Sequence, residues 1–221
     1  MTYPGGKNGA GVYQRIINYI PPHQTYIEGF LGSGAILRQK RPARINIAID
    51  RSHKAIVLAR GLAGNRKDID YHQVCIFQFL KGHNCDRETL IYLDPPYVLD
   101  TRKSGELYRH ELSDDDHQLL LSIICALDCM VMISGYRSRM YDQALKGWHR
   151  IDYKTMTRRG MVDESLWMNF KPPNELHDYS FLGSDYRERE RIKRKKKRWQ
   201  NKFTNMDRLE RLAVMEALQN V

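Results

Sequence analysis

Nowhere in the 221 residues do eighteen apolar side chains follow one another, which excludes a membrane-spanning helix of ordinary length. The opening Met1-Thr2-Tyr3-Pro4-Gly5-Gly6-Lys7 has neither a basic stretch leading into an apolar one nor a cleavage site, so an unexported, cytoplasmic protein is expected. Cysteine is scarce. The four present form no dense framework and suit reduced thiols rather than a disulfide scaffold. His72, Cys75, His83 and Cys85 are near in sequence, but their spacing fits no common zinc pattern, and no metal is expected. Cys125 and Cys129 read as buried apolar fill. There is no phosphate loop of the form G-x-x-x-x-G-K-[ST], and the third glycine of a dinucleotide fingerprint would fall at Leu37, so both of those nucleotide sites are excluded. No internal repeat is visible, and the length suits one well-packed domain with a small appendage.

Charge is plentiful but local. Of the net +10, residues 187–202 supply ten Lys/Arg against two Glu, so the rest of the chain carries only about +2. A block of that density is a solvated helix face or a nucleic-acid contact. The remainder alternates strand and helix signals. Thr25-Tyr26-Ile27, residues 45–49 closed by Asp50, residues 71–76 and Leu90-Ile91-Tyr92-Leu93 read as strands, with a helix starting at Ala35 and another over 54–60. Ser113 caps a further helix with Asp116 in the capping-box place, and Leu120, Ile123, Ile124 and Leu127 form its apolar face. Residues 129–133 are the next strand, and residues 149–155 and 165–170 read as an antiparallel pair around Arg158-Arg159-Gly160. This order predicts an α/β fold with a doubly wound, mostly parallel sheet over residues 1–178 and a basic helical extension over 179–221. In the extension Leu209, Leu212, Ala213 and Ala217 share a stripe.

The most informative string is Asp94-Pro95-Pro96-Tyr97, which chance supplies only about once in a thousand chains of this length. It follows a buried strand, at the carboxyl edge where open α/β sheets hold ligands. Two prolines can extend neither ladder nor helix, so the backbone is stiff and offers bare carbonyls. A carboxylate, those carbonyls and a flat ring suit a planar molecule bearing an NH2 group, such as adenine or cytosine. Upstream, Gly32-Ser33-Gly34 is a tight turn between strand and helix. Asp50, ending the second strand, can accept both ribose hydroxyls of a nucleoside lying across that turn. Together they describe an adenosine-containing cofactor without a pyrophosphate.

The ordered set Tyr3-Pro4-Gly5-Gly6-Lys7, Phe30-Leu31-Gly32-Ser33-Gly34, Asp50 and Asp94-Pro95-Pro96-Tyr97 resembles the Dam-type DNA adenine N6-methyltransferase family, in its alpha-group motif order. The likeness extends to residues 104–117, to Leu166-Trp167-Met168-Asn169 and to the basic tail, and compact phage or prophage members are the nearest in kind. The resemblance implies a Rossmann-like methyltransferase fold and S-adenosylmethionine as cofactor. It implies that Tyr3, Lys7, Phe30, Gly32, Ser33, Gly34, Asp50 and Asp94 line the cofactor pocket, Lys7 reaching the donor or the target base. Asp94 and the Pro95 carbonyl would accept the amino hydrogens, and Tyr97, after Pro96, would stack on a flipped base.

The chain departs from the family pattern in three places. Gly29 stands where proline is usual. Cys75 stands where an acid usually meets the cofactor's adenine, leaving a weaker contact or one from the backbone of Ile76. No recognition region is inserted before the tetrad, so DNA reading falls to Arg102, Lys103 and Arg109 in the loop 98–112, to Arg158 and Arg159, or to the tail, where Arg191, Lys193, Arg194, Lys195, Lys196, Lys197 and Arg198 cluster. Lys7 is a further DNA-contact candidate. The expected partner is DNA, with no membrane; a homodimer through the C-terminal helix and a cognate restriction endonuclease are left open. Methylation of cytosine N4, or a silent binding module that keeps the pocket, are the rival readings.

Overall fold

The computed structural model describes residues 6–9, 11–101, 111–157 and 160–219. The chain divides into two compact units, Met1–Asp178 and Tyr179–Val221. In the first unit, β1 (Thr25–Gly29), β2 (Ile45–Asp50), β3 (Ile69–Gln73), β4 (Thr89–Leu93) and β5 (Met130–Gly135) run parallel. Strands β6 (His149–Thr157) and β7 (Gly160–Met168) form an antiparallel hairpin, and β7 docks antiparallel on β5. The resulting order is β3-β2-β1-β4-β5-β7-β6. The direction of winding reverses between β1 and β4, where sheets of this kind open a crevice. All five residues of β4 are buried, which explains its apolar run, and so are the last four of β1, Glu28 among them.

Helices α1 (Val12–Ile17), α2 (Ala35–Gln39), α3 (His53–Ala63), α4 (Ile76–Gly82), α5 (Asp114–Cys125) and α6 (Arg139–Ala144) fill the connections. Ile76 and Leu80 of α4, Leu120, Leu121 and Ile124 of α5, and Tyr141 of α6 share one buried cluster with Ile27, Ile49, Ile91, Leu93, Val131 and Ile133 of the strands. The strand members are alternate residues, so they come from a single face of the sheet. Helix α5 carries the expected capping box, in which Ser113 Oγ accepts from the Asp116 amide and Asp116 accepts from the Ser113 amide.

The second unit contains α7 (Tyr186–Asn205) and α8 (Arg208–Gln219). The Asp185 side chain caps α7 by accepting from the Glu188 amide at 2.9 Å. Neither helix has a buried residue among those described, and Leu209 and Leu212 are 75% and 51% exposed.

Some expected boundaries shift. The third strand ends at Gln73, and Ile76 begins α4 after Cys75, whose extended backbone serves as N-cap. Ile76 and Leu80, four apart, are both buried, so the period there is helical. Leu127 lies beyond the end of α5 yet still packs on the core. Cys129 is buried as expected, whereas Cys125 is exposed in the last turn of α5. The last strand starts at Gly160 and not at Ser165.

Gly29 ends β1 in a tight place. A Cβ there would stand 2.7 Å from both Ile76 Cδ1 and Leu93 Cδ2, so the position is one of close approach. Gly29→Ala should cost about 1–3 kcal/mol through overpacking. Chemical denaturation checks this, a lowered midpoint with unchanged slope being the expected result.

Candidate active site

Gly29 pairs with Ile49 on one side and Leu93 on the other. The next residue on each strand therefore leaves the sheet at one level: Phe30, Asp50 and Asp94. Adjacent strands are about 4.8 Å apart, which places the exits of Asp50 and Asp94 about 10 Å apart across the glycine turn.

That turn is held in an uncommon backbone state. Phe30 (φ 55°), Gly32 (φ 53°) and Gly34 (φ 63°) are all left-handed, and Phe30 is the sole non-glycine residue so placed among the described residues. For Phe30 this costs on the order of 1–2 kcal/mol, so the surroundings must impose it. The Leu31 amide donates to Ile49 O at 3.1 Å, the Gly34 amide to Leu31 O at 2.7 Å and the Gly32 amide to Asp50 Oδ2 at 3.0 Å. Asp50 Oδ1 accepts from the Ser52 amide at 2.8 Å. Asp50 thus ties the turn to β2. Beneath the turn, buried Glu28 accepts from Tyr26 Oη at 2.8 Å and from the Leu37 amide at 2.7 Å, and burial pushes its carboxyl up to about 7.

After β4, Pro95 and Pro96 are buried and Asp94 and Tyr97 are half-buried. Lys7 reaches in from the N-terminal arm. Its Nζ lies 2.7 Å from Asp94 Oδ1 and 2.6 Å from Glu164 Oε1, and it also donates to Tyr97 Oη. The Tyr97 hydroxyl is within hydrogen-bond reach of Asp94 Oδ1 at 3.2 Å and of Glu164. Burial works against the Lys7 charge, but the carboxylates of Asp94 and Glu164 more than offset it and hold its pKa well above the usual range. Asp94 is pushed up to about 6, chiefly by burial, with Lys7 opposing and Glu164 adding to the shift. The ring of Tyr136 meets that of Tyr97 edge-on at 4.5 Å and braces it.

The arm also touches the glycine turn: Asn8 Nδ2 donates to Ser33 Oγ at 3.3 Å. Lys7 and Asn8 therefore link the two halves of the crevice. Of the residues expected to hold a cofactor, Phe30, Gly32, Ser33, Gly34, Asp50 and Asp94 come together at this edge, and Cys75 and Ile76 stand at the start of α4 beside Gly29. Tyr3, Arg102, Lys103, Arg109, Arg158 and Arg159 lie outside the described residues. The tail residues Arg191, Lys193, Arg194, Lys195, Lys196, Lys197 and Arg198 are all exposed on α7, in the other unit. Among the described residues, no group of three or more His, Cys, Asp or Glu could hold a metal, and no helix is long and apolar enough to cross a membrane.

Three contributors were not foreseen from sequence: Glu164, Asn8 and Tyr136. The signal for Glu164 was its alternation with Leu166 and Met168, which puts a carboxylate on a buried strand face. Asn8 and Tyr136 carried no local signal beyond adjacency to motifs.

No protein-family model matches the chain, and no curated protein matches it. Solved structures do. TrmN from Thermus thermophilus aligns with TM-score 0.50 and 18% identity over 71% of this chain and 46% of that one. The N-methyltransferase NodS from Bradyrhizobium japonicum aligns at 0.49 and 12% identity, covering 72% and 93% of the two chains. Magnesium protoporphyrin IX methyltransferase from Synechocystis, solved with bound SAM, aligns at 0.46 and 10%, covering 67% and 71%. The shared feature is the fold. It is a mixed, mostly parallel Rossmann-like α/β sheet, the fold class that the motif order implied.

Asp50→Ala would leave the buried Gly32 amide without its acceptor, at a cost of about 1–3 kcal/mol. The expected result is a lower denaturation midpoint together with faster hydrogen exchange at the Gly32 amide.

Proposed function

We propose that this protein transfers a methyl group from S-adenosylmethionine to the N6 amino group of adenine in DNA. The observation that carries the reading is the Asp94 carboxylate, which leaves β4 level with the glycine turn and Asp50 and already accepts from a nitrogen donor, the Lys7 ammonium, at 2.7 Å. The fold and the motif order support it.

The residues present fit the cofactor. Left-handed Gly32 and Gly34 bring backbone close to a ligand, and a Cβ at Gly34 would stand 3.2 Å from Leu31 Cδ1, so the turn admits no side chain there. Gly32, Ser33 and Gly34 would hold the methionine end, Asp50 the ribose, and the start of α4 at Cys75 and Ile76 would border the adenine. When bound, the cofactor supplies an electrophilic methyl group on a sulfonium.

The chain's own residues prepare the nucleophile. An aromatic amino group is weak because its lone pair is delocalised into the ring. Asp94 and the Pro95 carbonyl accept its two hydrogens and localise the lone pair. Tyr97, braced by Tyr136, offers a ring on which a flipped base can stack, as chemistry on an amino group inside a duplex requires. The buried prolines fix the acceptors in place.

DNA is the proposed partner of α7 as well. Its exposed Lys and Arg side chains match a phosphate backbone, and Trp199, packed at 6.2 Å on Phe203, adds an aromatic face.

Analysis of the methylated nucleoside after incubation with DNA and labelled donor is the direct test. N6-methyladenine is expected; N4-methylcytosine, or no product, would refute the reading. Asp94→Ala should cut turnover by about two or more orders of magnitude while equilibrium binding of the donor stays near wild type. Asp94 must be ionised to accept the amino hydrogens, so kcat/KM should fall as pH drops through about 6. An acid limb near 4, the ordinary carboxyl range, would contradict the buried setting of Asp94.

Removal of the chain from Arg187 onward should weaken binding to all DNA sequences alike and flatten the salt dependence. Log affinity falls with log salt by about 0.9 for each phosphate contacted. Titrations at several salt concentrations read this directly, and an unchanged slope would exclude α7 from the DNA contact.

A further inference from the structure

The proposed reaction leaves unused a buried carboxylate in contact with Lys7. Glu164 on β7 is 3% exposed, close to Asp94, and shares the Lys7 ammonium with it. An ammonium has three N–H donors, and three acceptors face this one: Asp94 Oδ1, Glu164 Oε1 and Tyr97 Oη. The lysine is itself 6% exposed. It sits on Oδ1, one of the two Asp94 oxygens that could accept from an incoming amino group.

Two buried carboxylates around one cation cannot lose that cation cheaply, since like charges at short range in a poorly solvated site strongly disfavour double ionisation. Lys7 can therefore yield Asp94 only by staying on Glu164. The exchange balances: the neutral amino group donates to Asp94 in place of the ammonium, and Lys7 with Glu164 remains a neutral pair. Asp94 then keeps its charge for the substrate.

We infer that Glu164 is a positioning residue that retains the Lys7 ammonium, so that Lys7 acts as an exchangeable plug of the amino-acceptor place on Asp94. The inference rests on the proposed methyl transfer. The Tyr97 hydroxyl, within reach of both carboxylates, follows the same exchange and keeps its ring at the crevice. A purely structural role would make the Lys7–Glu164 pair only an anchor for the arm, with no effect on which group occupies Asp94.

The other titratable groups acting with Asp94 are Tyr92 of β4, Tyr153 of β6, Tyr141 of α6 and Glu28 of β1. The phenols have pKa values raised through burial and stay neutral over the working range, while burial pushes Glu28 up to about 7 and the Asp94 charge adds to that rise.

Steady-state methylation of DNA by the full chain tests the plug. Without the Glu164 charge, Lys7 should cling to Asp94, and Glu164→Gln should lower kcat/KM by about 10- to 100-fold, mostly through a raised KM for DNA. Adding Lys7→Met to Glu164→Gln should recover part of that loss, because the competitor is gone. A Glu164→Gln variant equal to wild type, or a double variant no better than Glu164→Gln, overturns the proposal.

A second measurement needs no substrate. The 13C carboxyl signal of Asp94, assigned by its loss in Asp94→Asn, should titrate at lower pH in Glu164→Gln, where a neighbouring negative charge is removed. It should titrate at higher pH in Lys7→Met, where a positive one is removed. Midpoints unmoved in both variants overturn the proposal. Should Glu164→Gln not fold, Lys7→Met alone still overturns the proposal if the Asp94 midpoint does not rise. Wild-type protein that methylates no DNA refutes the function reading instead, and the carboxyl titration still judges the pairing separately.

Discussion

The register of three parallel strands governs this molecule. Because Gly29 pairs with both Ile49 and Leu93, the glycine turn, Asp50 and Asp94 leave the sheet together, and nothing else in the fold would bring them level. At the end of β1 the packing is close, since a Cβ on Gly29 would stand 2.7 Å from side-chain atoms of Ile76 and Leu93.

Electrostatics then set the character of that edge. Asp94 is raised towards neutrality by burial, and its rise is moderated by Lys7. Lys7 keeps its charge in a buried place because two carboxylates surround it. Each group would be out of place alone; together they form a cluster with one negative charge in excess. That excess would suit the sulfonium of the proposed methyl donor.

Much of this was legible in the sequence, for physical reasons. Strands buried on both faces are short, mostly apolar runs, and β4 and β5 appear as such. The capping box of Ser113 and Asp116 is a local interaction and was readable locally. The tetrad was conspicuous because two prolines permit so few conformations. Ile76 was misplaced because a short apolar run carries both periods, and only the N-cap geometry of Cys75 decides for helix. Glu164 escaped notice because its partners, Lys7 and Tyr97, are far away in sequence, and long-range pairing has no local signature. Its neighbours Asp163 and Ser165 made the segment read as a polar hairpin, although Glu164 itself faces inward with Leu166 and Met168.

The position of β7 between β5 and β6 bears on how the protein comes into being. Strands β1 to β5 are synthesised in order, but the sheet is completed only when the hairpin made of β6 and β7 docks, and β7 carries Glu164. Lys7, far earlier in the sequence, meets its second carboxylate only when that hairpin has docked. Until then Asp94 has neither its full complement of charge nor a closed wall beside it. The charge cluster is therefore completed late: without β7 the unit has the glycine turn and Asp50 but lacks the second carboxylate on Lys7.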